Sequence, residues 1–276
     1  MPRAILITAI AVVVVAATGI AYAANTYTVS ATITPAKSGT PSKPTPVAGT
    51  LTFQVGDSQG LRPLPIKTYS IGLSAGIVPN NNVVPGCTLA QAQMVVVPAA
   101  CNKAKIGTGS IQALAGPSAD RTQKLACFLT ATLLNQTKKN HFSIRIDGSP
   151  AAAKPCVTSI HGAIDATFVK TGSASAASGG SASSAAAKLP VWAIKFTVPP
   201  GLLHAIPGFD AAVINNVSSV KKLTGKIKEH GKRVTHGYLE SIGCQKTPSG
   251  KRTSQVVFTA EDGATNQATA SGPCRK

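Results

Sequence analysis

The chain has 276 residues, enough for one large β domain or two small ones. Hydrophobic residues make up 43%, much of it alanine and valine, while aromatics are 4% and charged residues 13%; so thinly charged a chain, rich in Thr, Ser, Gly and Val, suits strands and turns better than helices. Twenty-seven Lys and Arg against nine carboxylates give a formal net charge of +18, a field that attracts polyanions such as envelope polymers, lipid head groups or nucleic acid.

Residues 1–23 read as a cleavable signal peptide. Arg3 supplies the positive start, residues 4–18 an uncharged apolar run, and Ala21-Tyr22-Ala23 the small-residue site, with cleavage expected between Ala23 and Ala24. The run is shorter than the roughly 20 residues that span a bilayer. No second long run follows, so no transmembrane segment is expected after cleavage, and the expected localisation is secreted, extracellular or associated with the cell envelope.

Residues 24–49 hold a strand and a proline-rich loop. Thr26–Thr34 alternates Tyr27, Val29, Ala31 and Ile33, the pattern of a half-buried strand. Residues 35–46 carry four prolines and no apolar anchor, an extended loop. From residue 50 to 276 the chain reads as one β-sandwich domain. Strands are expected at Thr50–Val55 and Ile66–Ser74, with a short buried one at Met94–Val97, then Gly109–Leu114, Leu125–Leu134 and His141–Asp147 before an Asp147-Gly148 turn. Ile160–Lys170 and Val191–Val198 flank residues 171–187, a Ser/Ala/Gly-rich stretch that cannot bury a core and reads as a flexible hairpin loop. Asp210–Val220 comes closest to a helical period, weakened by Asn215-Asn216. Val234–Ile242, Ser254–Ala260, a Glu261-Asp262-Gly263 turn and Thr265–Ser271 complete the pattern, which indicates a sandwich or barrel.

Several stretches look chemical and fail on context. Gly56-Asp57-Ser58-Gln59-Gly60 matches a hydrolase nucleophile elbow, but Pro63 and Pro65 follow where the elbow needs a helix. Ser218-Ser219-Val220-Lys221 and Lys170-Thr171-Gly172 match penicillin-binding motifs in the wrong order. His161 and Asp165 share a strand face and so form a candidate base pair near Ser159; a surface pair is the commoner outcome. Trp192, in a β run, reads as core. No catalytic residue, metal site or cofactor is expected. The basic segment is more informative: Lys221, Lys222, Lys226, Lys228, Lys232 and Arg233 stand against the single acid Glu229, a candidate polyanion-binding stripe. It lacks interleaved aromatics for base stacking, so sequence-specific nucleic-acid binding is not expected.

Cys87, Cys101, Cys127, Cys156, Cys244 and Cys274 form an even set in a chain read as exported, which implies disulfides. Fifteen pairings are open in principle. Sequence order suggests Cys87–Cys101, Cys127–Cys156 and Cys244–Cys274.

Short phrases in a fixed order carry a resemblance: residues 35–46 before Thr50–Val55, Gly60-Leu61-Arg62-Pro63, Val84-Pro85-Gly86-Cys87, the stretch from Cys101 to Gly109, Gly237-Tyr238-Leu239 leading to Cys244, and the stretch from Phe258 to Gly263 leading to Cys274. In these the chain resembles a family of secreted, uncharacterised β-rich proteins of high-GC Gram-positive (actinobacterial) soil bacteria. Asn102 and the insert at 171–187 depart from that pattern. The resemblance implies an exported β-rich domain with paired cysteines and no catalytic residue.

The expected fold is therefore all-β, a disulfide-supported β-sandwich of jelly-roll-like type. The expected function is non-catalytic, with an anionic envelope polymer, a polysaccharide or a surface partner bound. The alternatives are a secreted carbohydrate-active enzyme on a jelly-roll scaffold, which would need a convergent carboxylate pair, and a structural surface-layer component.

Overall fold

The structure is a computed structural model that describes residues 25–152, 155–175, 188–229, 231–246 and 250–275. The signal-peptide reading of residues 1–23 lies outside the described residues.

The chain runs through β1 (Asn25–Thr34), β2 (Thr45–Pro46), β3 (Ala48–Asp57), β4 (Ile66–Gly72) and β5 (Ile77–Pro79), then a short helix α1 (Leu89–Gln93). A meander follows: β6 (Lys105–Pro117), β7 (Leu125–Asn135), β8 (His141–Gly148), β9 (Ile160–Ser175) and β10 (Lys188–Thr197). After one helical turn, α2 (Pro200–Leu203), come β11 (Phe209–Val220), β12 (Thr224–Glu229), β13 (Lys232–Gly237), β14 (Leu239–Ser241), β15 (Lys251–Ala260) and β16 (Thr265–Pro273).

Eleven of these strands form one antiparallel sheet in the order β1-β3-β11-β6-β7-β8-β9-β10-β4-β15-β16. The fold is all-β and disulfide-supported, as expected, and its sandwich is a single sheet folded back on itself. Alternation explains why it curls. Directly paired residues share a face, and the ladder carries one mainly apolar row, broken at Asn216, through consecutive strands: Val29 opposite Phe53, Asn216 opposite Phe53 and Ile111, Ile111 opposite Leu129. The row continues as Ile144 opposite Ile164, Phe168 opposite Ile194, Ile194 opposite Ile71, and Ile71 opposite Val256. The other face of β1 reads Thr26, Thr28, Ser30, Thr32, and that of β16 reads Thr265, Gln267, Thr269, Ser271. Apolar inside and polar outside is the reverse of a membrane barrel's wall. No helix among the described residues is long and apolar enough to cross a membrane.

The sheet nearly closes where β1 and β16 meet. A Cβ on Gly272 would stand 3.4 Å from the Ala31 carbonyl oxygen. Just past the strand ends, Arg275 N–H donates to Ala36 O (3.0 Å) and Ser38 N–H to Arg275 O (2.7 Å). Sparse aromatics gather at this seam. Tyr27 stacks on Phe258 at 4.5 Å and Tyr69 on Phe196 at 4.8 Å, while Phe53 contacts Tyr69 and Phe258 at 5.6 and 5.5 Å. Rings from β1 and β3 thus meet rings from β4 and β15, and Phe196 of β10 joins through Tyr69, so the tube is flattened into two facing layers.

One end is plugged. The small sheet β2-β14-β5 places Val47, Ile77, Tyr238 and Leu239 against Ile106, Phe142 and Phe168. The other end is covered by the β10–β11 connection: Leu202 enters the barrel, where a Cβ on Gly162 would stand 3.0 Å from its Cδ2. Gly162 makes room for this lid.

The cysteines pair in chain order, Cys87–Cys101, Cys127–Cys156 and Cys244–Cys274. The spans of 14, 29 and 30 residues are each worth roughly 2–4 kcal/mol in a chain-entropy account.

Several local expectations are corrected. Met94–Val97 is not a buried strand: Met94, Val95 and Val96 are exposed in the loop after α1, where the carbonyls of Ala92 in α1 and of Met94 and Val95 in the loop accept from the buried Arg145 at 2.8, 2.5 and 3.1 Å. Asp147-Gly148 is strand, not turn, because the Asp147 carboxylate is committed to Arg145 (2.7 Å to both Nε and Nη2). Asp210–Val220 is strand β11, with one extra residue between Val213 and Asn215 forming a bulge. Val234–Ile242 is broken at Tyr238 into β13 and β14. Residues 171–175 belong to β9, which pairs with β10 as far as Ser175 opposite Lys188; residues 176–187 lie outside the described residues.

Candidate functional site

Along the barrel runs an apolar cavity of about 220 Å³, walled by inward residues of the eleven-stranded sheet and reaching from Leu239 at the plugged end to Leu202, Ile206 and Val157 at the lid. Its wall is hydrocarbon because each strand turns its apolar row inward. Most of the few polar groups in the wall are committed to hydrogen bonds, Asp210 to Ser118 and His204 and Thr50 to Ser219. Asn216 Oδ1 accepts from Ser218 Oγ at 2.9 Å, and Ser74 and Ser254 hydroxyls lie 3.0 Å apart. Burial pushes the Tyr69 hydroxyl well above the usual phenol range. The wall offers apolar contact and little to a polar ligand.

The lid end is held by charge. Arg62, 1% exposed, donates to the carbonyls of Pro117 (2.7 Å), Gln123 (2.9 Å) and Asp120 (3.2 Å), with Asp210 at 3.9 Å. Gly116 is glycine because a Cβ there would collide with the Arg62 guanidinium. Arg121 pairs with Asp57, whose other oxygen accepts from Gln59 N–H at 2.9 Å and Leu61 N–H at 3.2 Å. His204 follows α2. Its Nδ1 lies 3.2 Å from Asp210 Oδ1 and its Nε2 2.9 Å from Glu261 Oε1. The bond to Glu261, reinforced by the charges of Glu261 and Asp210, holds its pKa above the usual imidazole value.

The basic segment folds as the hairpin β12–β13, with Lys221 and Lys222 exposed in the connection before it. Register divides the six cations. Lys228 stands opposite Arg233 and Lys226 opposite Thr235, so Lys226, Lys228 and Arg233 share one face. Lys232 stands opposite Glu229 on the other face. There Glu229 reaches His236 (3.1 Å), which also meets the buried Glu240 (3.2 Å). Among the described residues, no carboxylate comes within ion-pair distance of Lys226, Lys228 or Arg233.

The remaining motifs dissolve. Ser58 sits in an exposed turn closed by Gly60 at φ 70°. Ser218 and Lys170 lie in strands. His161 and Asp165 do share a face, yet each has another partner: His161 Nδ1 is 2.9 Å from Asp147, and Asp165 is 2.9 Å from His141 Nδ1 and accepts from Gln136 at 2.7 Å. Trp192 packs against the core. Among the described residues, no group of three or more His, Cys, Asp and Glu is placed to hold a metal.

No family model, curated protein or solved structure matches this chain. The cavity and its lid are what reading the sequence missed. The alternating rows were visible, but a row looks the same whether it fills a core or lines a space.

Proposed function

We propose that this is an exported, non-catalytic binding protein that holds an apolar ligand, a single hydrocarbon chain, in the barrel lumen. The cavity carries this reading. Left empty, about 220 Å³ of apolar space would cost about 5 kcal/mol at roughly 24 cal/mol per Å³, a large part of a domain's net stability. It exceeds the roughly 150 Å³ apolar cavity that takes up benzene. A narrow lumen running the length of the strands suits an extended chain better than a compact ring system. Three disulfides fit an extracellular setting.

The test is displacement of a fluorescent fatty-acid probe, alongside native mass spectrometry of the purified protein. Wild type should bind the probe. Ala115→Phe, which fills the cavity beside Ala211, should abolish binding while leaving the melting temperature unchanged or higher. Undiminished probe binding by Ala115→Phe would show that the lumen is not the site.

A second reading rests on a separate observation. The face of Lys226, Lys228 and Arg233, with no carboxylate partner among the described residues, supports binding of an anionic envelope polymer or polysaccharide at the surface.

A further inference from the structure

Arg252 occupies the inward row of β15, opposite Gly272 and one inward position beyond Ser254, which lines the lumen at its plugged end. Its side chain is 2% exposed. Nε donates to the Cys274 sulfur at 3.0 Å and Nη2 to the Ser241 hydroxyl at 2.6 Å; Nη1 is buried and has no partner. Among the described residues, no carboxylate forms an ion pair with it. Burial alone pulls its pKa below the usual guanidinium value. The nearest chain neighbour of Ser241 with a carboxylate is Glu240, already taken by His236 and by the Gly237 N–H at 2.8 Å. A guanidinium does not lose its proton in a protein, so this is a buried cation that meets a hydroxyl and a sulfur and keeps its Nη1 donor unused. Buried charge without a counter-ion is strongly unfavourable. A planar fork of donors matches a carboxylate or phosphate.

We infer that the ligand is an anionic single-chain amphiphile, its acid head group seated on Arg252 at the plugged end and its chain lying in the lumen toward the lid. The proposal deepens the lumen reading and depends on it. The cavity wall ends at the Ser74–Ser254 hydroxyl pair, one inward position short of Arg252; the pair spends one proton on its own bond and leaves the other to donate to the head group. The chain then lies against a mainly apolar wall as far as Leu202, with Asn216 and Ser218 bonded to each other along the way.

The experiment compares displacement of the same probe by dodecanoic acid, dodecyl phosphate and dodecanol. Wild type should prefer one or both anions over the alcohol by tenfold or more, and the acid-to-phosphate ratio tells which head group the site takes. Arg252→Gln should bring the anions down to the alcohol's affinity while leaving the alcohol unchanged. Arg252→Lys, which keeps the charge, should restore part of the preference. If wild type binds the alcohol as well as both anions, the head-group assignment is overturned and the lumen reading stands. If nothing displaces or binds the probe, the lumen reading itself falls. Should Arg252→Gln fail to fold, the wild-type head-group comparison decides alone.

Discussion

At the scale of single residues, the consequential side chains are polar groups placed among apolar ones. Arg62 holds the 117–123 loop through three carbonyls, and removing it strands those acceptors. Arg62→Met should cost about 3 kcal/mol, read from the shift in urea midpoint at unchanged m-value. A change under 0.5 kcal/mol would mean that the loop holds itself. His204 gives a pH dependence. Its folded pKa is raised by Glu261, then Asp210, above the 6.5 of the unfolded imidazole. The contribution is therefore fully present below that unfolded value and is lost as pH rises through the folded one. The ring is 39% exposed, so solvent limits the effect to under about 1 kcal/mol, or about 1–3 °C in melting temperature. Wild type should lose that margin over His204→Gln between mildly acidic and alkaline pH. Parallel pH profiles for the two proteins would show that the lid is not held by this ion pair. None of these roles was visible in advance: Arg62 and His204 act on partners 55 to 61 and 6 to 57 positions away.

At the scale of elements, the β12–β13 hairpin shows how register refines a charge run. Six cations against one acid read as one stripe. Pairing puts Lys226, Lys228 and Arg233 on one face and sends Lys232 to the face of Glu229. Changing the first three together to Gln should flatten the log–log salt dependence of binding to an anionic polymer by about 2–3 units, at roughly one unit for each cation that no longer meets a polymer charge. Lys232→Gln should barely alter it. Equal effects from the two variants would make the hairpin a merely solvated face. Alternation places most strands of the large sheet correctly. It fails at Met94–Val97, where a short apolar run carries no period and Arg145, some 50 residues away, holds the loop outward.

At the scale of the whole molecule, closure depends on few contacts. Phe53 touches rings from both β4 and β15, so Phe53→Ala should cost about 3–5 kcal/mol and speed amide exchange in β1 and β16 first. Exchange that rises uniformly over the sheet would argue against a seam. The strand-forming rows, the all-β class, the turn at Glu261-Asp262-Gly263 and an even cysteine set can all be read along the chain, because each depends on neighbours a few positions apart or on composition. Three features exist only once the chain is folded: one sheet turned back on itself, an inward row that lines a cavity, and Arg252 buried with no ion-pair partner among the described residues. Curvature and closure sum small twists over eleven strands, and β1 meets β16 across more than two hundred residues. No local pattern records which distant strand will close the seam, and so none records the space it encloses.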